Sequence, residues 1–186
     1  MELYEERGYE PTTVAEIAQR AGLTERTFFR HYADKREVLF VGAETFQEIF
    51  VSTIEKAPGS TTPIEAIAQA VVAAGELIQD VRGREFARRR QAIIAANTEL
   101  RERELIKMAS VASAMAGALR RRGVRDPVAR LTAEAGTAVF RVAFERWVGP
   151  EGNRTDLPAL IRDSLDRLRG LVVQTTAPLS SGARPK

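Results

Sequence analysis

The segment Thr24-Glu25-Arg26-Thr27-Phe28-Phe29-Arg30-His31-Tyr32 concentrates side chains that can read a nucleic-acid duplex. Arg26 and Arg30 stand four apart, so on a helix they share a face. Each can donate a bidentate pair of hydrogen bonds to a guanine edge or pair with a phosphate. Thr24 and Thr27 add short hydroxyls, and Phe29 offers its ring to a thymine methyl or a sugar. His31 either touches phosphate or caps the end of its helix. Lys35, beside the free N–H groups of the next helix start, is positioned to hold a phosphate. Thr13, at the start of the preceding helix, completes the candidate contacts. Phe28 and Tyr32 are expected in the core instead. Residues 24–36 carry Arg26, Arg30, Lys35 and Arg36 against Glu25 and Asp34, a local positive excess.

Bulk charge does not support this reading by itself. The chain is +3 at pH 7. Residues 1–56 hold 7 Lys and Arg against 11 Asp and Glu, whereas residues 82–130 hold 13 against 5. The reading head is acidic, so everything depends on where individual side chains sit.

The elements that must position them follow from punctuation and period. Between interruptions at Gly8, Gly22, 57–60, Gly123 and 149–152, apolar residues recur every three or four positions, the helical period. Leu3 to Arg7 ends a first helix. Thr13-x-x-Glu16 is a capping box opening a second helix to about Arg20. Ala21-Gly22-Leu23 is a turn, and Thr24 caps a third helix from Glu25 to about Tyr32. Two short helices joined by a tight glycine turn make a helix-turn-helix. Asp34-x-x-Glu37 predicts a long fourth helix to about Lys56. Further helices are predicted from Pro63 to about Gln79, Arg84 to Ala96, Glu99 to Arg122, Asp126 to Val148 and Leu157 to Val173. The seam of the 99–122 helix is Leu105, Met108, Val111, Ala112, Met115 and Leu119. The expected fold is all-α: a three-helix head carrying the helix-turn-helix, then a helical bundle, about nine helices in total. Residues 1–45 are expected to form the helix-turn-helix head, 46–176 the bundle, and 177–186 a disordered tail.

Composition excludes much else. With 0 Cys and 1 His, disulfides, zinc-thiolate sites and His-rich metal sites are ruled out. There is no phosphate loop or nucleophile elbow, and the single His lies in the third helix. An enzyme is therefore not expected, and no cofactor or metal is implied. No apolar run approaches the ~20 residues of a membrane span, and no signal peptide opens the chain, so a cytoplasmic protein is expected.

The pattern Gly8-Tyr9-x-x-Thr12-Thr13-Val14-x-x-Ile17-Ala18-x-x-Ala21-Gly22-Leu23-Thr24-x-x-Thr27-x-Phe29-x-His31-Tyr32-x-x-Lys35 resembles the DNA-binding domain of TetR-family regulators. The resemblance implies a homodimer that represses by binding a palindromic operator and is released by a small-molecule effector. Two departures stand out. The family usually has Tyr where Phe29 stands and Gly near Arg26. Its first helix is usually longer and preceded by a basic arm, whereas here only Met1 to Arg7 remain. This short start predicts a truncation or weakened DNA affinity. The alternative reading is a helical ligand-binding or interaction protein whose shortened head binds DNA poorly.

In the bundle, Phe46, Phe50, Phe86, Met108, Met115, Phe140, Phe144 and Trp147 are candidate walls of an apolar ligand pocket, with Arg141 as a polar anchor. Glu145 is a second possible anchor. The segment from Arg84 through Trp147 is similar to the C-terminal domain of mycofactocin-type regulators. That similarity implies an acyl-CoA-like effector, with Arg88, Arg89 and Arg90 near its phosphates; the alternative is a solvated Arg face. Leu131, Ala135, Val139, Val142, Ile161, Leu165 and Leu168 are candidates for a four-helix dimer interface. Within that family, ligand tilts the fourth helix and spreads the two heads.

Overall fold

The computed structural model describes residues 1–174, and every regular element among them is helical, as expected. The order is α1 Glu2–Arg7, α2 Val14–Arg20, α3 Glu25–His31, a 3-10 segment Lys35–Phe40, α4 Ala43–Lys56, α5 Pro63–Ala96, α6 Thr98–Arg121, α7 Asp126–Val148, a 3-10 turn Pro150–Asn153 and α8 Leu157–Gln174. The expected disordered tail, 177–186, lies outside the described residues.

Local chemistry sets most boundaries. Thr13 Oγ1 accepts from the Glu16 N–H at 3.3 Å, while the Glu16 carboxylate accepts from the Thr13 N–H at 2.8 Å. This reciprocal box satisfies two donors that the first turn of α2 leaves free. Thr62 and Glu65 repeat it at the start of α5, where Pro63 occupies the first helical position. Thr24 caps α3 by accepting from the Thr27 N–H at 3.2 Å.

Two stretches depart from expectation. The fourth helix does not run unbroken from Asp34. Asp34 accepts from the Arg36 N–H at 2.8 Å, and Glu37 turns away to pair with Arg103 at 2.6 Å and Lys107 at 3.3 Å. A short 3-10 segment results, and Gly42, at φ 84°, separates it from α4. That dihedral is strained for any residue with a Cβ. The helices expected at 63–79 and 84–96 form one rod bent at Gly83, φ 71° and ψ 159°. This region of backbone space is essentially restricted to glycine. Arg84 braces the bend: its Nε donates to the Trp147 carbonyl at 2.7 Å and its Nη2 to that of Gly149 at 2.6 Å. Both carbonyls lie at the end of α7, where helix carbonyls lack internal partners.

Two apolar cores result. The larger joins α4, the first arm of α5, α6, α7 and α8 through residues such as Ile54, Ile67, Leu119, Ala143 and Leu157. Gly136 lets α7 approach α5 closely, because a Cβ there would overlap Ile67. The smaller core gathers Tyr4, Tyr9, Leu39 and Phe40 of the head with Ile93, Ile94 and Leu100. The second arm of α5 and the start of α6 therefore complete the interior of the N-terminal unit. No described helix is long and apolar enough to cross a membrane.

Candidate functional site

The first candidate surface is built on α2 and α3. Leu23 N–H donates to the Ala18 carbonyl at 2.8 Å across the glycine turn. Ala18 and Phe28 are buried, and the Tyr32 ring packs 5.1 Å from that of Phe28. This anchors the inner side of α3 through Phe28, buried as expected, while Tyr32, just past the helix, is only half-buried. The outer side presents Arg26, Phe29 and Arg30 to solvent. Phe29 is 54% exposed between the two arginines.

Part of the head's acidity is paired off away from this face. Arg20 takes Glu2 at 3.2 Å and Glu6 at 3.0 Å, and Arg7 takes Glu16 at 2.6 Å. The hydrogen bond from Arg20 holds the Glu6 carboxyl below its usual range. Among the described residues no carboxylate claims Arg26 or Arg30. Arg30 Nε donates only to the neighbouring His31 ring, at 3.4 Å. Thr24 and Thr27 share a hydroxyl hydrogen bond of 3.0 Å, and Thr13 serves its capping box while remaining exposed.

Lys35 does not reach toward that surface. Its ammonium donates to the carbonyls of Tyr9 and Glu10 at 2.9 Å each and of Thr12 at 3.1 Å, and lies 4.4 Å from the Tyr9 ring centre. An ammonium has three donors, and all three are used internally. Lys35 therefore positions the turn before α2 and is not free to hold a phosphate.

The second candidate site is a cavity of about 1230 Å³ between α4, α5, α6 and α7, closed on the head side by residues 38–42. It exceeds the ~300–1,000 Å³ typical of small-molecule sites. Phe46, Phe86, Met108, Phe140 and Phe144 line it, and Arg141 and Glu145 stand on its α7 side. Phe50, Met115 and Trp147, expected as walls, lie elsewhere. A ladder of rings explains two of them: Phe50 meets Phe46 at 4.9 Å, Phe46 meets Phe140 at 5.4 Å, Phe140 meets Phe144 at 5.9 Å, and Phe144 meets Trp147 at 5.9 Å. The middle rungs face the cavity, and the end rungs are buried in the core. On α6 the cavity wall ends at Val111, and Met115 lies one turn deeper in the core. Leu105, expected in the α6 seam, stands 63% exposed on the cavity rim.

Beside Arg90, Arg141 and Glu145, which the sequence singled out, Arg82 and Lys107 add charge to the wall that it did not. Arg82, Arg90 and Lys107 all line the cavity. Within the Arg88–Arg90 run only Arg90 turns inward; Arg88 pairs with Glu85 at 2.7 Å and Arg89 with Glu5 of α1 at 3.3 Å. Helical phase was the available signal, since Arg90 is four residues from Phe86. Arg90 Nε donates to the Leu39 carbonyl at 2.7 Å and Nη1 to Glu104 at 3.0 Å. Burial lowers the Arg90 pKa, and Glu104 opposes that shift. Gln91 also lines the cavity, and its Oε1 is buried with no hydrogen-bond partner among the described residues.

The expected interface residues divide. Leu131 is 73% exposed, Val142 is exposed and Ala135 half-buried. With Val128 and Ala138 they form one outward stripe of α7 at three- and four-residue spacing. Val139, Ile161 and Leu165 are instead buried in the chain's own core, with Leu168 packed against it. Leu157, Leu160, Ile161 and Leu165 of α8 are buried against the chain's own core, Leu171 is exposed, and the outer face carries Arg162, Asp166, Arg167 and Arg169.

Comparison with known proteins agrees with both halves of this architecture. Residues 1–40 match the profile of bacterial regulatory proteins of the TetR family, and residues 61–172 match the MftR C-terminal domain. The HTH-type transcriptional regulator TcmR of Streptomyces glaucescens is 39% identical over 70 residues, a stretch covering 38% of this chain and 31% of TcmR. A transcriptional regulator from Rhodococcus sp. Rha1 has a similar fold at TM-score 0.51 and 21% identity, covering 95% of this chain and 94% of its own. So does FadR of Thermus thermophilus, a TetR-family repressor solved in complex with lauroyl-CoA, at TM-score 0.51 and 20% identity, covering 100% of this chain and 95% of FadR. With a helix-turn-helix head and an MftR-type C-terminal domain that spans more than half its length, the chain belongs to the TetR family of transcriptional regulators.

Proposed function

We propose that this regulator is a homodimeric repressor that binds a near-palindromic operator through α3 and lets go when an amphipathic, acyl-CoA-like effector enters the cavity. The outward face of α3 carries the DNA half of the reading, with Arg26 and Arg30, exposed and paired with no carboxylate among the described residues, on either side of Phe29. A two-fold dimer presents this face twice, about 34–36 Å apart or at a related spacing, to successive turns of the major groove. The exposed α7 stripe from Val128 to Val142 is the surface through which we pair the subunits, because burying it on its symmetry mate removes large apolar side chains from water. The effector half is supported by the aromatic wall and inward cations of the cavity, and by the lauroyl-CoA bound in the similarly folded FadR.

The test selects duplexes from a randomised library with the full chain, then measures binding of the enriched sequence by fluorescence anisotropy with and without lauroyl-CoA. The expected result is an inverted-repeat consensus, one dimer per site, and release by ligand. Enrichment of no sequence, or a monomer in light scattering, overturns the reading.

A further inference from the structure

We infer that Arg82, Arg90 and Lys107 form a charge-sensing latch: an effector's anionic end lodges against them and draws the two arginines off Leu39 and Val41, while its apolar chain lies along Phe46, Phe140 and Phe144. This rests on the effector-responsive reading above and adds which end of the ligand is sensed, and how.

Each of the three cations faces the cavity and also holds the segment that follows the reading head. Arg82 Nη2 donates to the Val41 carbonyl at 3.1 Å. Arg90 Nε donates to the Leu39 carbonyl at 2.7 Å, and its guanidinium carbon lies 5.0 Å from the Phe40 ring centre. Lys107 pairs with Glu37 at 3.3 Å and lies 5.4 Å from the same ring. Leu39 and Phe40 in turn belong to the head core with Tyr4 and Tyr9. Cavity wall and head interior thus meet on one short stretch of backbone.

Chemistry decides the direction of the switch. Arg82 and Arg90 hold this segment through single bonds to neutral carbonyls, whereas a carboxylate or phosphate adds a full opposite charge and can take the guanidinium bidentately. A carboxylate or phosphate entering the cavity outcompetes Leu39 and Val41. Glu104 can keep Nη1 of Arg90, so the guanidinium swings without losing its compensating charge. A neutral ligand with the same apolar chain supplies no such competitor. Phe46, Phe140 and Phe144 stack on one another where α4 and α7 meet, whereas the three cations come from α5 and α6, so the cavity offers the apolar chain and the anionic end different walls.

The experiment follows backbone amide exchange in the full chain, free and with two probes: lauroyl-CoA, and lauroyl-pantetheine, which keeps the acyl chain and lacks the phosphates. In the free protein, Arg90→Gln should speed exchange across 37–41 about tenfold, the effect of losing one charged hydrogen bond, while the α7 core keeps its protection. Lys107→Gln, which leaves Arg103 on Glu37, serves as a milder second variant and should move the same amides less. Lauroyl-CoA should speed the same amides in the wild type and add little in Arg90→Gln; lauroyl-pantetheine should bind and leave them unchanged. Unchanged exchange in both variants, or equal effects of the two probes, overturns the latch. Should neither probe bind, the acyl-CoA reading falls, and the ligand-free variants still decide whether the cations hold the segment.

Discussion

The Lys35 ammonium sits 4.4 Å from the centre of the Tyr9 ring while donating to the Tyr9, Glu10 and Thr12 carbonyls. One side chain thereby fixes the turn before α2 against the start of the 3-10 segment. Tyr4 completes the arrangement by donating its phenol to the Lys35 carbonyl at 2.7 Å. Removing the cation leaves part-buried carbonyls without their donors. Lys35→Met should therefore cost about 2 kcal/mol of stability. Urea denaturation with an unchanged m-value is the check; a loss smaller than a few tenths would return Lys35 to the surface role that its sequence position suggested.

Arg26→Ala and Arg30→Ala test the reading face. Each should weaken operator binding by about 1–3 kcal/mol if it reads a base, and by less, with a shallower salt dependence, if it touches phosphate. Both side chains are exposed and lack carboxylate partners, so thermal stability should stay within about 0.5 kcal/mol. Phe29→Ala should lower affinity only where thymine lies opposite it. Anisotropy titrations against the consensus and single-base variants separate these cases.

Residue types and spacing made the helix-turn-helix legible to within a residue or so. Thr13 with Glu16, Gly22 and Thr24 each have a local partner that fixes one boundary. Phe46, Phe140 and Phe144 could likewise be placed near a cavity from helical phase. What escaped depends on distant partners. Asp34 and Glu37 read as a capping box, yet Glu37 is claimed by Arg103 and Lys107 from α6, more than sixty positions away. Phe50 and Phe46 share a helix and a type, both touch Phe140, and only the packing of α4 on α5 and α6 decides which is buried in the core and which faces the cavity. Ile161 and Leu165 fit a dimer seam equally well until α8 is seen packed on its own chain.

Acid should loosen the same junction. The Arg36 side chain, then its backbone N–H, hold the Asp34 carboxyl below its ordinary range. The native state thus binds fewer protons than the unfolded chain. Its contribution is complete above the unfolded value of about 3.9 and is lost as pH falls through the lower folded value. Asp34→Asn should lower stability at neutral pH and flatten the loss below pH ~4. Denaturation midpoints from pH 7 to 2.5 provide the comparison; parallel curves for the two proteins would contradict the assignment.

Gly136 is where α7 meets α5 most closely. A Cβ would strike Ile67, which is fully buried and β-branched and so cannot swing away. Gly136→Ala should cost about 1–3 kcal/mol despite the better helix propensity of alanine. Ile67→Leu moves the branch outward along the side chain, so the double variant should recover part of the loss, a non-additivity that thermal melts can resolve.

The bend at Gly83 is the backbone feature on which cavity shape depends most. Arg82 and Phe86 flank it, both line the cavity, and their rings and charge stack at 5.1 Å. Alanine at φ 71° and ψ 159° costs about 1–3 kcal/mol, or else the rod straightens. Straightening would pull Arg84 off the Trp147 and Gly149 carbonyls and carry Arg90 away from Leu39. Either outcome lowers Tm, by about 2–4 °C for each kcal/mol in a chain of this size. Gly117→Ala is the control, because that glycine sits inside α6 with ordinary space around it and should gain about 0.4–1 kcal/mol. If Gly83→Ala melted like Gly117→Ala and bound lauroyl-CoA as the wild type does, the bend would be incidental. A lower Tm with weakened ligand binding identifies it as the joint that sets the cavity against the reading head.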